Sequence, residues 1–157
     1  MANAARIVIK NVPDWVKAKG RLDAELAASM RRIATHVASR AAEAAPTDTG
    51  RLRKSIGSEY RREGERHIAM IGTGLEYAPY VHEGTGPAVG RPPYFPPPSA
   101  LADWARRVLG NEKLAWAVAR KIRARGTKPR PYLRNALAGS RGFIEAELHE
   151  ALRRSVQ

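Results

Sequence analysis

The sequence contains no cysteine, and this absence excludes disulfides and thiolate metal sites. It also has no apolar run that approaches the roughly 18 residues needed to span a membrane. The apolar run within residues 1–10 is too short for a signal peptide. At 157 residues the chain can bury a core of its own. We therefore expect a soluble, cytoplasmic protein without a membrane partner.

Motifs of catalysis and cofactor binding are missing as well. The chain has no GxSxG, no P-loop and no GxGxxG. Its four histidines, His36, His67, His82 and His149, show no metal-ligand spacing, and a structural role is predicted for each. His82 precedes Glu83, but neighbours on a helix do not face each other. We predict no enzyme activity, no cofactor and no metal, and an enzyme built on these two residues is the least favoured hypothesis.

Acidic residues are scarce, since 15 Asp and Glu stand against 28 Lys and Arg and give a net charge of +13. Such an excess indicates a nucleic acid, an anionic surface or an acidic protein as partner. A lone basic run is usually a solvated helix face, but here the whole chain is basic, which favours contact with phosphates. The basic run lacks the interleaved aromatic residues that would indicate readout of the bases. DNA would therefore be bound through its backbone. The candidate contacts with DNA or an acidic partner are Arg120, Lys121, Arg123, Arg125, Lys128 and Arg130, and Arg134 ends the same acid-free run.

Apolar periodicity predicts a long helix over about residues 21–45, ended by Pro46. Its inward stripe is Leu22, Leu26, Met30, Ile33, Val37 and Ala41. A short strand is predicted over residues 6–12. At its end, Asn11 and Pro13 are typical of a helix start. Arg51 to Ser55 predict a helical turn that runs into a β-hairpin around Gly64.

The segment EYAPYVHEGTG, residues 76–86, predicts a short helix with Pro79 in its first turn. Tyr77 and Val81 would share one side, and Gly84 would end the helix. Tyrosine rings bury apolar area and keep a hydroxyl for a partner. The segment therefore suits either a domain core or a junction between subunits, and the two interpretations are equally favoured.

Prolines dominate residues 87–98, which predict an extended arm that could reach a neighbouring subunit. The candidate interface residues of this arm are Pro92, Pro93, Tyr94, Phe95 and Pro96. Two helices follow, capped by Ser99 and Asn111, and Gly126 ends the second. Helical spacing relates Leu101, Trp104, Ala105 and Val108 in the first helix and Leu114, Val118 and Ile122 in the second. A last helix buries Leu133, Leu137, Ile144, Leu148 and Leu152 and is weakened by Gly139 and Gly142.

These elements predict an α+β fold in which a small antiparallel sheet packs against a long N-terminal helix and a C-terminal helix, with a Pro-rich arm and a helical insert. We expect a single domain over residues 1–157. Its parts are an N-terminal strand and lead-in (1–20), a long helix plus hairpin core (21–86), the arm and helical insert (87–126), and a C-terminal extended segment and helix (127–157).

Three blocks of residues, in this order, resemble the neck or tail-completion proteins of long-tailed bacteriophages. The first block has Pro46, Asp48, Thr49, Gly50, Leu52, Ser55 and Ile56. The second has Tyr77, Ala78, Tyr80, Val81, Gly84 and Thr85, and the third has Pro129, Pro131, Tyr132, Leu133, Ala136 and Leu137. The resemblance covers about residues 21–157, although Tyr132 replaces a common phenylalanine and residues 87–126 are a long insert.

The resemblance implies a structural virion protein at the head–tail junction, present in the host cytoplasm during assembly. Such proteins form a homo-oligomeric ring, expected to be a hexamer, with genome DNA passing through its lumen. A head-closure or connector protein would lie on one side, and tail terminator and tail tube proteins on the other. A free-standing protein that binds nucleic acid without sequence preference is the alternative.

Overall fold

A computed structural model of the chain describes residues 5–8 and 19–155. These residues form two compact units, one containing the described residues up to Leu75 and those from Tyr132 onward, the other Glu76–Pro131. The expectation of a single domain stays a prediction. The predicted helix start at Asn11 and Pro13 lies outside the described residues, as do residues 9–12 of the predicted strand.

The first unit is organised by helix α1 (Lys19–Ala44). The apolar side chains predicted to face inward recur at three or four residues and so fall on one stripe of the helix. All of them are buried, which confirms the prediction: Leu22, Leu26, Met30, Ile33, Val37 and Ala41. The helix ends two residues before Pro46, as expected from the restriction that proline places on its neighbour.

Three antiparallel strands complete this unit: β1 (Ala5–Val8), β2 (Gly57–Glu63) and β3 (Arg66–Gly72), in the order β1-β3-β2. Gly64, with φ of 61°, makes the predicted hairpin turn between β2 and β3. The central strand β3 buries Ile68, Ala69 and Ile71, and α1 packs against β3 and β2. Strand β2 is an edge strand, and its charged, exposed residues discourage pairing with other chains.

The C-terminal segment forms two helices, α6 (Tyr132–Gly139) and α7 (Arg141–Ser155), and both pack against α1. The prediction of one continuous helix is wrong, because the chain breaks after Gly139 at Ser140, whose buried hydroxyl donates to the Ala136 carbonyl at 2.8 Å. Leu152 is 44% exposed, so its predicted inward position is also wrong, and Ala151 is buried instead.

The helices α1 and α7 are joined by polar contacts as well as by packing. Arg32 Nε donates to Glu147 Oε2 at 2.7 Å, and Ser29 Oγ donates to the Glu147 backbone oxygen at 3.1 Å. The rings of His36 and Phe143 stack with their centroids 3.9 Å apart. The fold is thus α+β, with the sheet against the long N-terminal helix and the C-terminal helix against that same helix, as predicted.

The second unit contains α3 (Ala78–Glu83), α4 (Pro98–Leu109) and α5 (Ala115–Arg125). Two 3₁₀ helices, Gly86–Val89 and Glu112–Leu114, lie between them. The arm predicted to be extended over 87–98 is therefore extended only over about 91–97, because the chain first makes a helical turn. None of the helices in the described part of the chain is long and apolar enough to cross a membrane.

Two predicted features of the insert helices are wrong. Ser99 does not cap α4, because that helix begins one residue earlier, at Pro98, whose fixed φ suits the first helical position. Asn111 caps the 3₁₀ helix and not α5, since its Oδ1 accepts a hydrogen bond from the Lys113 amide at 2.9 Å.

The buried residues of α4 and α5 are alanines. The two helices pack against each other, and Ala105, Ala115 and Ala119 are buried. Val108 is 54% exposed and Leu114 is 40% exposed, although both recur with other apolar residues at helical spacing. Small side chains allow close approach of the two helices, and the larger apolar residues then lie on the outside.

Candidate functional site

The first sequence block, residues 46–56, forms the turn and helix that follow α1. Gly50 precedes helix α2 (Arg51–Ser55) in the left-handed conformation, with φ of 74°. Leu52 is buried, and Ser55 Oγ donates to the Leu52 carbonyl at 2.8 Å. Thr73 Oγ1 lies 2.7 Å from Ser55 Oγ, which ties the block to the end of β3. These contacts hold the block in place, and they are structural.

The second block forms α3, as the position of Pro79 predicted. Tyr77 precedes the helix, and Gly84 ends it with φ of 75°. Tyr77 is 40% exposed and Tyr80 is 59% exposed, whereas Val81 is half-buried. The helix therefore presents two large aromatic side chains to solvent.

A short antiparallel bridge joins the end of the second block to the start of the third. The Thr85 amide donates to the Thr127 carbonyl at 3.0 Å, and the Thr127 amide donates to the Thr85 carbonyl at 3.1 Å. The two side-chain hydroxyls are 2.8 Å apart. In addition, the Arg130 amide donates to the Val81 carbonyl at 3.0 Å. Residues 86–126 thus begin and end beside one hydrogen-bonded pair, Thr85 and Thr127, which we call the bridge.

Glycine is required where the two backbones of the bridge meet. A Cβ at Gly84 would lie 2.5 Å from the Thr127 carbonyl oxygen, and one at Gly126 would overlap the carbonyl oxygen of Thr85. Both residues have positive φ, 75° and 71°. Sequence reasoning assigned Gly84 to a helix end and Gly126 to another, but it did not reveal that they serve the same contact.

His82 and Glu83 do face each other, contrary to the argument from helix geometry. His82 Nδ1 lies 2.8 Å from Glu83 Oε1, and the His82 side chain is buried. Glu83 is the last residue of α3, where its carboxylate can turn back toward His82. Within residues 5–8 and 19–155, no group of three or more His, Cys, Asp and Glu is arranged to hold a metal ion.

A polar network in the first unit was not found by sequence reasoning. His67 is buried on β3, with Nδ1 2.9 Å from the Tyr60 hydroxyl and Nε2 3.0 Å from Asp23 Oδ1. Asp23 also pairs with Arg62, and the guanidinium of Arg31 lies 4.6 Å from the Tyr60 ring centroid. No sequence signal relates Asp23 to His67, because they lie on different elements, α1 and β3.

The third block divides between the two units. Pro129 and Pro131 end the second unit, and Tyr132, Leu133 and Ala136 are buried on α6 of the first unit. Tyr132 is only 2% exposed, so this block supplies core side chains.

The predicted cations are exposed and lie on two flanks of α5 and on the segment after it. At about 100° per residue, Arg120 and Arg123 fall on the same flank as Trp116, and Lys121 and Arg125 fall on the other. Lys128 and Arg130 follow the helix and are also exposed. Among the described residues, no ion pair involves any of these six cations. Their charge is therefore available to a partner.

The arm packs in part on its own unit. Pro96 is buried, and the Phe95 ring is tilted against the Trp116 ring with a centroid distance of 6.2 Å. Pro92, Pro93 and Tyr94 are exposed. These three residues are open to a partner, whereas the buried Pro96 anchors the arm.

Residues 8–84 match a protein-family model described as "Bacteriophage HK97-gp10, putative tail-component". This part of the chain is thus similar to the HK97-gp10-like family. The match contains the whole first block and the second block up to Gly84, so it ends one residue before the bridge. Comparisons with curated proteins and with solved structures gave no significant match.

The match over residues 8–84 confirms the resemblance to phage tail-completion proteins that the sequence blocks indicated. A tail component is a structural part of the virion, and it contacts other virion proteins. The match includes α3 with its exposed tyrosines. Aromatic residues are enriched at interfaces between proteins.

Proposed function

We propose that this protein is a ring-forming neck or tail-completion component, located at the junction between the phage head and tail. The observation that carries the proposal is the HK97-gp10-like match over residues 8–84. The ring would be a hexamer of identical subunits around the DNA channel. A head-closure or connector protein would contact one side of the ring, and tail terminator or tail tube proteins the other.

The exposed side chains of the family blocks support an assembly role. A ring of identical subunits uses two different patches, so that each copy meets its neighbour head to tail. Tyr77 and Tyr80 provide one patch on a helix whose ends are fixed by Pro79 and Gly84. The exposed prolines of the arm, Pro92 and Pro93, are candidates for the second patch, because prolines leave little conformational entropy to be lost on binding.

The basic residues support a DNA channel. Passage of DNA requires diffuse positive charge and no base-specific contact. The exposed cations Lys121, Arg125, Lys128 and Arg130 have no ion-pair partner among the described residues. They are therefore suited to transient contact with phosphates along the lumen.

Electron cryomicroscopy of the head–tail junction in intact virions tests the proposal. We expect density for a closed ring of this chain around the DNA, from which the copy number and the residues of the lumen can be read. A particle that lacks the chain at the junction would refute the proposal.

A second candidate function is sequence-independent binding of nucleic acid by the free protein. The same unneutralised cations favour it, together with the net charge of +13. It predicts that the isolated chain retains duplex DNA at low salt and that affinity falls steeply as salt rises. Absence of retention at low salt would eliminate this function.

A further inference from the structure

Large exposed apolar side chains of the described residues are concentrated in the second unit. Eight of the nine lie between Glu76 and Pro131, and the ninth is Leu152. Single exposed apolar residues need no explanation, but a group of them marks an interaction site. The three that concern us are Tyr94, Phe95 and Trp116, which we call the aromatic patch.

The aromatic patch combines a residue of α5 with two residues of the arm. Trp116 lies in the first turn of α5 and is 60% exposed, and its ring is tilted at 48° to that of Phe95. Pro96, next to Phe95, is buried, and Tyr94 is 57% exposed. A fixed aromatic pair loses little side-chain freedom on binding, which favours affinity.

Cations border the aromatic patch on one flank of α5. Arg120 and Arg123 follow Trp116 by four and seven residues, and they therefore lie on the same side of the helix. Lys121 and Arg125 carry the same charge on the opposite flank, beyond the buried Ala115 and Ala119. The helix thus has one mixed aromatic and cationic flank and one purely cationic flank.

The acids of the insert do not neutralise the mixed flank. Asp103 pairs with Arg106, and Glu112 Oε2 lies 3.7 Å from Arg106 Nε. Among the described residues, neither Arg120 nor Arg123 takes part in an ion pair. A partner that supplies carboxylates would therefore gain charge-assisted hydrogen bonds there.

We propose that the aromatic patch, with Arg120 and Arg123, is a docking surface for an acidic protein segment that inserts an apolar side chain beside Trp116. Tryptophan, tyrosine and arginine are the residues that dominate the energy of protein interfaces. The proposal goes beyond the ring, and it rests on the proposed function only in the expectation that the segment belongs to another virion protein.

Nucleic acid and a second copy of the chain fit this flank less well. Duplex phosphates are bound by cations, and an exposed indole does not contribute to that binding. Single strands stack on a series of aromatic platforms, whereas here the rings form a single cluster. In a second copy, basic residues outnumber acidic residues by 28 to 15, so it is a poorer source of the carboxylates that this flank would bind.

A binding assay on the full-length protein tests the docking surface. The probe is a fluorescein-labelled peptide in which glutamate alternates with leucine, and its control has glutamine in place of glutamate. Labelled oligo-dT and a random duplex are measured in parallel, all by fluorescence anisotropy at physiological salt. We expect the acidic peptide to bind at least about tenfold more tightly than the glutamine peptide, because carboxylates lose their partners in the control.

Matched variants separate the docking surface from general charge. Arg120→Ser with Arg123→Ser removes two charges from the mixed flank, and Lys121→Ser with Arg125→Ser removes two from the other flank. We expect a loss of at least about tenfold in peptide affinity for the first pair and for Trp116→Ala, since these residues would be the anchors of the interface. For the second pair we expect less than about threefold, because a charge outside the contact acts only at long range. Circular dichroism checks that each variant is folded, and all four charged positions are exposed.

Three results would overturn the proposal. Equal losses from the two charge pairs would mean that only net charge matters. Tighter binding of oligo-dT than of the peptide, with dependence on Trp116, would make the surface a nucleic-acid site. Sedimentation showing that Trp116→Ala abolishes self-association would make it a subunit contact. Electron cryomicroscopy of virions tests the ring separately. Failure of the docking surface therefore does not decide the ring, and failure of the ring does not decide the docking surface.

Discussion

Replacing Gly126 by alanine is the sharpest test of the bridge between Thr85 and Thr127. The new Cβ would overlap the Thr85 carbonyl oxygen and would lie 2.9 Å from its carbonyl carbon. Backbone atoms cannot rotate away as a flexible side chain can, so the two chain segments must separate. Gly126 also has φ of 71° and ψ of −168°, a region that only glycine enters readily.

The magnitude follows from the contacts that are lost. Separation breaks both backbone hydrogen bonds of the bridge, at 3.0 and 3.1 Å, each worth about 1 kcal/mol net. The backbone conformation adds about 1 to 3 kcal/mol of strain. We therefore expect Gly126→Ala to destabilise the bridge by about 3 to 5 kcal/mol, which corresponds to at least about a hundredfold in its opening equilibrium.

Amide hydrogen exchange, followed by NMR at Thr85 and Thr127, measures this opening directly. Gly110→Ala is the matched control, because Gly110 has the same φ of 71° but a Cβ there meets nothing within 4 Å. The control should cost about 1 to 2 kcal/mol in the last turn of α4 and leave the bridge amides protected. Unchanged protection of Thr85 and Thr127 in Gly126→Ala would refute the assignment of the bridge as the base of the insert.

Three further predictions concern the core, an exposed ion pair and assembly. Met30→Ala should lower the free energy of unfolding by about 2 to 5 kcal/mol in urea titrations, since Met30 is fully buried, and a loss below about 1 kcal/mol would contradict its place in the core. The hydrogen bond from Lys19, at 2.8 Å, and its charge lower the pKa of Glu65, so this pair stabilises the fold above the ordinary glutamate pKa and its contribution is lost as pH falls through the lowered value. Lys19→Gln should therefore raise the Glu65 pKa in an NMR titration, and no rise would contradict the contact. Tyr80→Ala should change stability by no more than about 0.5 kcal/mol because the side chain is 59% exposed, yet reduce the yield of tailed particles, and a normal yield would argue against its role in assembly.

The long helix and the hairpin could be predicted because their signals are local. The stripe from Leu22 to Ala41 repeats over five turns, and Gly64 lies where the turn needs positive φ. In the insert, by contrast, the size of the apolar side chains was misleading. Leu114 is larger than Ala115, but the close packing of α4 and α5 buries the alanine.

The bridge could not be predicted, since it depends on residues that are 42 positions apart. The sequence showed only that Gly84 and Gly126 end helices, and a helix end does not reveal what it touches. His82 and Glu83 show the same limit at short range. The rule that helical neighbours diverge holds within a helix, whereas Glu83 is at its last position and its carboxylate turns back.

The bridge has a consequence for engineering the protein. Because Thr85 and Thr127 hold the two ends of the segment together, the chain between them can be lengthened without moving those ends. Each doubling of a flexible loop adds only about 0.6 kcal/mol of closure entropy. Gly110 is exposed and stands between two helices, so a fluorescent domain or affinity tag inserted there would report the position of the subunit in a particle while the family blocks keep their native sequence.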